Sequence, residues 1–240
     1  MKRALLLVLL SFLFIPNISK AEEIQKLDII SQNTKYYKME INKNDNKIIS
    51  STVEISKKEY DSSNVSSNTR ASVETIYKKL TSTITANGNY YRYTANLHWK
   101  NIPSTRSYDI LGIGFYSSVK VKNNNIYFSQ NYCVTGGSCY TTYTHNPQVF
   151  TSGAGTTYLL PSGNLSSLDE IMYFDVDKNT NLTIINQMAA ADHSHAIQSI
   201  SLTNAKKYTV SGSAGISLNS SISSYYDAIS PAIQYWSGSW

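Results

Sequence analysis

The pattern that most constrains the fold of this chain is a pair of alternating runs joined by Asn87-Gly88. The runs are Leu80 to Ala86 and Tyr90 to Trp99, and Asn-Gly supplies the two positive-φ positions of a type I′ turn. One face of the second run carries Tyr91, Tyr93, Ala95, Leu97 and Trp99. The other face carries Tyr90, Arg92, Thr94, Asn96 and His98. The segment therefore predicts a β-hairpin.

Similar short runs rich in Tyr, Thr, Ile and Val recur along the chain and are separated by Asn and Gly clusters. We expect strands at 36–41, 48–55, 108–121, 126–134, 171–176, 182–189, 196–202 and 207–211. This spacing predicts an all-β protein, an antiparallel β-sandwich or jelly-roll-like fold with little helix. Two short helices are expected, one started by a capping box at Ser56 to Glu59 and one over residues 221–233 that Pro231 ends.

The N-terminus has the three parts of a secretory signal peptide. Lys2 and Arg3 precede an apolar stretch, and Ser19-Lys20-Ala21 places small residues where signal peptidase reads them. We expect cleavage after Ala21 and secretion of the remainder. The apolar stretch is shorter than the roughly 20 residues of a spanning helix, and no later segment is long and apolar enough to span. No transmembrane segment is therefore expected after cleavage.

Removal of the signal peptide changes the charge balance. Three of the 21 basic residues and none of the 16 acidic residues lie in positions 1–21, so the remainder has 18 basic and 16 acidic residues. A nearly neutral chain without a basic stripe offers no electrostatic attraction for nucleic acid. We therefore expect no nucleic-acid partner.

The remainder divides into three parts by composition. Residues 22–60 hold a first β-hairpin, residues 61–72 are rich in Ser and Asn and read as a linker, and residues 73–240 form the main β-sandwich domain. The two cysteines, Cys133 and Cys139, flank Gly136-Gly137. In an oxidising exterior this spacing predicts a disulfide across a tight turn, with a pair of free thiols as the alternative.

Two segments carry possible metal ligands. If Asp192-His193-Ser194-His195 is extended, His193 and His195 point to the same face and can share a metal, with His98, His145 or Asp109 as a further ligand. The alternative is that both imidazoles bond to the backbone or cover a strand edge. Asp175, Asp177 and Asn179 offer oxygen ligands at alternate positions, as a calcium loop does. A hairpin turn explains the same residues.

The segment from Trp99 to Asp109 joins two strands and is either a recognition loop or a turn started by Pro103. As a binding site it would use Trp99, Arg106, Tyr108 and Asp109. Together with Ile110 to Phe115, and with Tyr208 to Asp227, it resembles segments of small, secreted, uncharacterised proteins of low-GC Gram-positive bacteria. The resemblance implies a secreted protein and brings no activity with it.

No residue is assigned a catalytic role, because there is no Gly-x-Ser-x-Gly elbow and no other catalytic signature. No cofactor is assigned. The chain has 19 Tyr and 3 Trp against 6 Phe, and tyrosine suits strand faces, sugar platforms and membrane interfaces alike. We expect a non-catalytic binding or surface-interaction module for a cell-surface glycan or protein. The alternatives are a β-pore-forming or membrane-active protein and a metal-dependent extracellular hydrolase.

Overall fold

Alternating sequence becomes antiparallel strand along most of the chain. The computed structural model describes residues 28–44, 47–63, 73–87 and 90–240. Its strands, in chain order, are β1 Asp28–Asn44, β2 Lys47–Ile55, β3 Val73–Asn87, β4 Tyr90–Trp99, β5 Tyr108–Phe115, β6 Val119–Val121, β7 Tyr127–Val134, β8 Cys139–Thr142, β9 Asn146–Phe150, β10 Gly153–Leu159, β11 Leu165–Lys178, β12 Asn186–Ala196, β13 Tyr208–Ser211, β14 Gly215–Leu218, β15 Tyr226–Ala228 and β16 Ala232–Ser237. The two α-helices of these residues are α1 Lys57–Ser62 and α2 Leu202–Ala205.

The strands form two large antiparallel sheets. The larger sheet has the order β2-β1-β3-β4-β11-β7-β8, and β6 also pairs with β11. The smaller sheet has the order β15-β12-β5-β10-β9, and β16 also pairs with β12. β13 and β14 form a separate two-stranded ribbon. The prediction of an all-β, antiparallel, sandwich-like fold is confirmed.

The main core lies between the two sheets. Tyr93 and Leu97 of the larger sheet pack with Ile113, Phe115 and Ala191 of the smaller one, and all five are fully buried. The face of β4 that the alternation predicts to be aromatic and apolar is the one turned to this core. Burial of such side chains stabilises the fold by about 25 cal/mol per Å² of apolar surface.

A second, smaller core covers the outer face of the smaller sheet. Tyr208 and Val210 of β13 pack there with Ile110 and Ala196. Glycine makes this close approach possible, because a Cβ on Gly114 would collide with the carbonyl of Gly212. β12 is therefore buried on both faces, which places its polar side chains in the interior.

The predicted N-terminal hairpin exists as β1 and β2. β1 also pairs with β3 along its length, from Asp28 opposite Ala86 to Asn42 opposite Val73. The hairpin thus extends the larger sheet. Residues 1–27, which include the predicted signal peptide, and residues 64–72 of the predicted linker lie outside the described part.

Two local predictions are wrong. Residues 221–233 do not form an α-helix: after a single 3-10 turn at Ser223–Tyr225, this segment supplies β15 and β16, which complete the pairing of β12 along one edge. Residues 196–202 are not a strand, since β12 ends at Ala196 and Ser201 caps α2. The capping box is confirmed: Ser56 Oγ accepts a hydrogen bond from the backbone N–H of Glu59 at the start of α1.

Candidate functional site

The two histidines of β12 lie inside the sandwich with a carboxylate between them. Both side chains point toward the larger sheet, and both residues are 0 % exposed. Nδ1 of His195 lies 2.9 Å from Oδ2 of Asp109, a residue of β5, the strand that pairs with β12 in the same sheet. Nε2 of His193 lies 3.3 Å from the same oxygen. The backbone N–H of Ala196 donates to Oδ1 of Asp109, so this buried carboxylate is well paired.

A buried lysine from the larger sheet completes this cluster. Lys78 of β3 is 0 % exposed, and its Nζ lies 3.2 Å from Nδ1 of His193. Oδ2 of Asp227, in β15, lies 3.9 Å from Nζ of Lys78. The hydroxyl of Thr52 in β2 donates to Oδ2 of Asp227. Side chains from both sheets therefore meet across the core, and we call Lys78, Asp109, His193, His195 and Asp227 the inter-sheet cluster.

Trp99 and Glu170 border the inter-sheet cluster. The indole of Trp99 meets the rings of His193 and His195 edge-on, with centroids 5.4 and 5.3 Å away. Its Nε1–H donates to Oε2 of Glu170 at 2.9 Å. Oε1 of Glu170 is buried and has no hydrogen-bond partner among the described protein atoms. The sandwich thus encloses a layer of polar side chains on both sides of Trp99.

Burial dominates the electrostatics of this layer. It lowers the pKa of Lys78 and, with the nearby Lys78 ammonium, lowers the pKa of His193 to about 3. Burial also raises the pKa of Glu170 well above its ordinary value, and repulsion by Asp109 adds to the rise. Burial opposes ionisation of Asp109 as well, but His195 and the contacts with both imidazoles outweigh it and hold the pKa of Asp109 well below its ordinary range.

Asp192 lies on the opposite face of β12. Its Oδ1 accepts from the backbone N–H of His193, and its Oδ2 accepts from the backbone N–H of Ile216 at 2.7 Å. Burial raises the pKa of Asp192 to about 7, although both N–H groups work against that rise. Asp192 therefore joins β12 to β14 and takes no part in the inter-sheet cluster.

The structure brings one of the three proposed further metal ligands to His193 and His195. That ligand is Asp109; His98 instead pairs with Asp169 on the outer face, and His145 bonds Thr156. Across residues 28–44, 47–63, 73–87 and 90–240, no group of three or more His, Cys, Asp or Glu side chains has the arrangement to hold a metal. The metal at His193 and His195 stays a prediction.

The proposed calcium ligands lie along β11 and just after it. Asp175 is bound by Arg92, whose Nε lies 2.8 Å from Oδ1. Asp177 follows on the same outer face, opposite Lys120 of β6. The side-chain amide of Asn179 donates to the backbone carbonyl of Ser117. Two of the three side chains thus have protein partners, and calcium binding here stays a prediction.

The four residues proposed for the recognition loop differ in their exposure to solvent. Trp99 and Asp109 are buried, whereas Arg106 and Tyr108 are half-buried. The backbone carbonyl of Tyr108 accepts a hydrogen bond from the hydroxyl of Tyr226. Only part of the proposed binding set is therefore accessible to a partner.

The outer face of the larger sheet presents aromatic side chains. The rings of Tyr127 and Tyr173 stack with centroids 4.9 Å apart and planes 12° apart, because the two residues are partners in the β7–β11 register. The guanidinium of Arg92 lies 4.3 Å from the centre of the Tyr173 ring. We call Arg92, Tyr173 and Tyr127 the tyrosine ladder. Tyr127 is 48 % exposed.

The predicted disulfide is confirmed. Cys133 and Cys139 are opposite each other in the β7–β8 hairpin and are bonded. Gly136 in the connecting turn has φ of 69°, a conformation in which glycine has no steric penalty.

Within the described ranges, no helix has the length and apolar character needed to cross a bilayer.

Sequence reasoning missed Lys78, Asp227 and Glu170. Each occupies an inward position of a strand, but all three lie outside the runs predicted as strands, so no alternation marked them as buried. Searches against models of protein families and against curated proteins find no match to this chain. The function of the protein is therefore inferred from the geometry of the molecule.

Proposed function

We propose that this protein is a secreted, non-catalytic binding module that contacts a carbohydrate surface through the outer face of its larger sheet. The observation that carries the proposal is the tyrosine ladder, which keeps a stacked Tyr pair on an accessible face. Aromatic rings supply apolar contact to sugar rings, and their hydroxyls supply hydrogen bonds.

The chemistry around the tyrosine ladder favours an uncharged polar ligand. Neighbouring outward positions carry the hydroxyl and amide groups of Thr94, Asn96 and Ser129. Most charged residues on this face form ion pairs with each other. The pairs are Arg92 with Asp175, His98 with Asp169, and Lys38 with Glu40. Lys79, Lys120 and Asp177 are the exceptions among the described residues of this face. Paired charges leave little net field to attract a charged polymer.

Burial of the inter-sheet cluster argues against catalysis there. Its five residues are at most 4 % exposed, so a substrate has no path to them in this conformation. A general acid or base must come within hydrogen-bond reach of its substrate. The disulfide supports an oxidising compartment, and the signal-like residues 1–21 support export.

The test is binding to purified cell-wall polysaccharide and to a panel of immobilised glycans. We expect Tyr127→Ala and Tyr173→Ala to weaken binding at least about tenfold, which corresponds to about 1.4 kcal/mol. Tyr143→Ala is the matched control, because Tyr143 is 70 % exposed and lies between β8 and β9, outside the tyrosine ladder. Absence of binding to every glycan, or equal loss in all three variants, contradicts the proposal.

A membrane-active role is the second candidate. Leu182 and Ile185 are 76 % and 65 % exposed, and they line a groove of about 540 Å³ with Tyr116 at one end of the sandwich. Exposed aliphatic side chains grouped in this way favour contact with an apolar surface. Leakage from liposomes that Leu182→Asp abolishes would support this role in place of the first.

A further inference from the structure

Lys78 and Asp227 form a pair of potential reactants in the interior. Nζ of Lys78 lies 3.9 Å from Oδ2 of Asp227, and the two residues are 0 % and 4 % exposed. They belong to different sheets, so the contact spans the core. An isolated buried ion pair is costly to desolvate, so conversion of the two charged groups into a neutral amide would remove that cost.

The neighbours of this pair supply groups that can assist a condensation. Nδ1 of His193 lies 3.2 Å from Nζ of Lys78, within reach to accept a proton. Oδ2 of Asp109 lies 3.3 Å from Nε2 on the other side of that ring and stabilises positive charge on it. The hydroxyl of Thr52 donates to the carboxyl group of Asp227 and polarises it.

We infer that Lys78 and Asp227 join in the folded protein through an isopeptide bond. One proton passes from the Lys78 ammonium to the Asp227 carboxylate, and Nζ then attacks Cγ. The new C–N bond replaces one C–O bond, and the hydroxyl that leaves takes one amine proton and departs as water. The reaction is neither an oxidation nor a reduction, and it needs no other reactant.

Other acids of the interior are engaged elsewhere. The oxygens of Asp109 accept from His195 and from the backbone N–H of Ala196. Oε2 of Glu170 accepts from Trp99. Asp227 is the acid that forms the ion-pair contact with Lys78. Holding the two reactants together in the fold replaces a bimolecular encounter, and such positioning can supply much of the barrier reduction.

The bond would tie β3 of the larger sheet to β15 of the smaller one. Separation of the two sheets would then require breaking a covalent bond as well as the core contacts. For a module that acts outside the cytoplasm, such a link adds resistance to unfolding and to proteolysis. This inference does not depend on the ligand of the outer face.

The test is mass spectrometry of the purified protein after denaturation and reduction. We expect an intact mass lower by one water than the mass calculated for residues 22–240, the chain expected after cleavage at Ala21. A tryptic digest should contain a branched peptide in which the segment around Lys78 is joined to the segment around Asp227. The full calculated mass, or a water deficit without that branched peptide, overturns the inference.

Single substitutions test whether the bond joins Lys78 to Asp227. Lys78→Met and Asp227→Ala should each restore the full mass, while Lys79→Met, on the outer face of the same strand, should keep the deficit. His193→Gln should lower the linked fraction. If the variants at buried positions fail to fold, the branched peptide of the unmodified chain still decides the question.

Discussion

His193 connects the two sheets through its Nδ1, which lies 3.2 Å from Nζ of Lys78. The other nitrogen, Nε2, faces Asp109 at 3.3 Å. A cation from β3 and a carboxylate from β5 are thus linked through one imidazole. Because all three residues are fully buried, changes to them should affect stability far more than equivalent changes at the surface.

Asp109→Asn should destabilise the protein by about 3–5 kcal/mol, because loss of a buried charge leaves its partners uncompensated. The measurement is urea unfolding at neutral pH. Asp169→Asn is the matched control: Asp169 pairs with His98, but its side chain is 38 % exposed, so its loss should cost less than about 1 kcal/mol. Equal costs for the two variants would show that the inter-sheet cluster is unimportant for stability.

Glu170→Gln should become more stabilising, relative to the unmodified chain, as pH rises. Folded Glu170 keeps its proton because burial raises its pKa well above 4.5, whereas the unfolded carboxyl ionises near that value. The stability that this group contributes is therefore fully present below about pH 4.3. It is lost as the pH rises above that value, by up to about 1.4 kcal/mol per pH unit. Gln keeps an acceptor for Trp99 and cannot ionise.

Unfolding free energies at pH 5 and pH 8 check the Glu170 prediction. The difference between Glu170→Gln and the unmodified chain should grow between the two values. Glu54→Gln, at an exposed position, serves as control and should show no comparable growth. A difference that is constant with pH would mean that Glu170 ionises in the folded state as easily as in the unfolded one.

Gly114→Ala should destabilise the fold by about 1–3 kcal/mol or more, the range for overpacking of a core. The added methyl group would collide with the backbone carbonyl of Gly212, which cannot rotate away as a side chain can. Gly137→Ala is the control, since its new Cβ would meet Val134 at 3.5 Å, an ordinary contact. Thermal unfolding of both variants measures the effect, and a stable Gly114→Ala would contradict this packing of the ribbon.

Replacing both cysteines with serine should lower the free energy of unfolding by about 2 kcal/mol, the chain-entropy value for so small a ring. Cys133 and Cys139 are the only cysteines, so no other disulfide can compensate. The check is the melting temperature with and without reductant. Reductant should lower it for the unmodified chain and leave it unchanged for the double variant.

Local sequence was sufficient where the interaction itself is local. Alternation predicted the two faces of β4, and the spacing of Cys133 and Cys139 predicted their bond. The C-terminal segment was predicted as a helix because its local pattern allowed one. It became β15 and β16 because β12 offers unpaired backbone groups along its edge, and that edge exists only in the assembled sheet.

The residues themselves determined a great deal about this protein: most of its strands, the two faces of β4 and a disulfide follow from short-range geometry and from the period of a strand. Only the tertiary structure decided which strands are neighbours. It placed Lys78, Asp109 and Asp227 beside His193, although they are far apart in the chain, and it buried them. The physical reason is that pairing order and sheet stacking depend on the summed free energy of distant contacts, which no local pattern records.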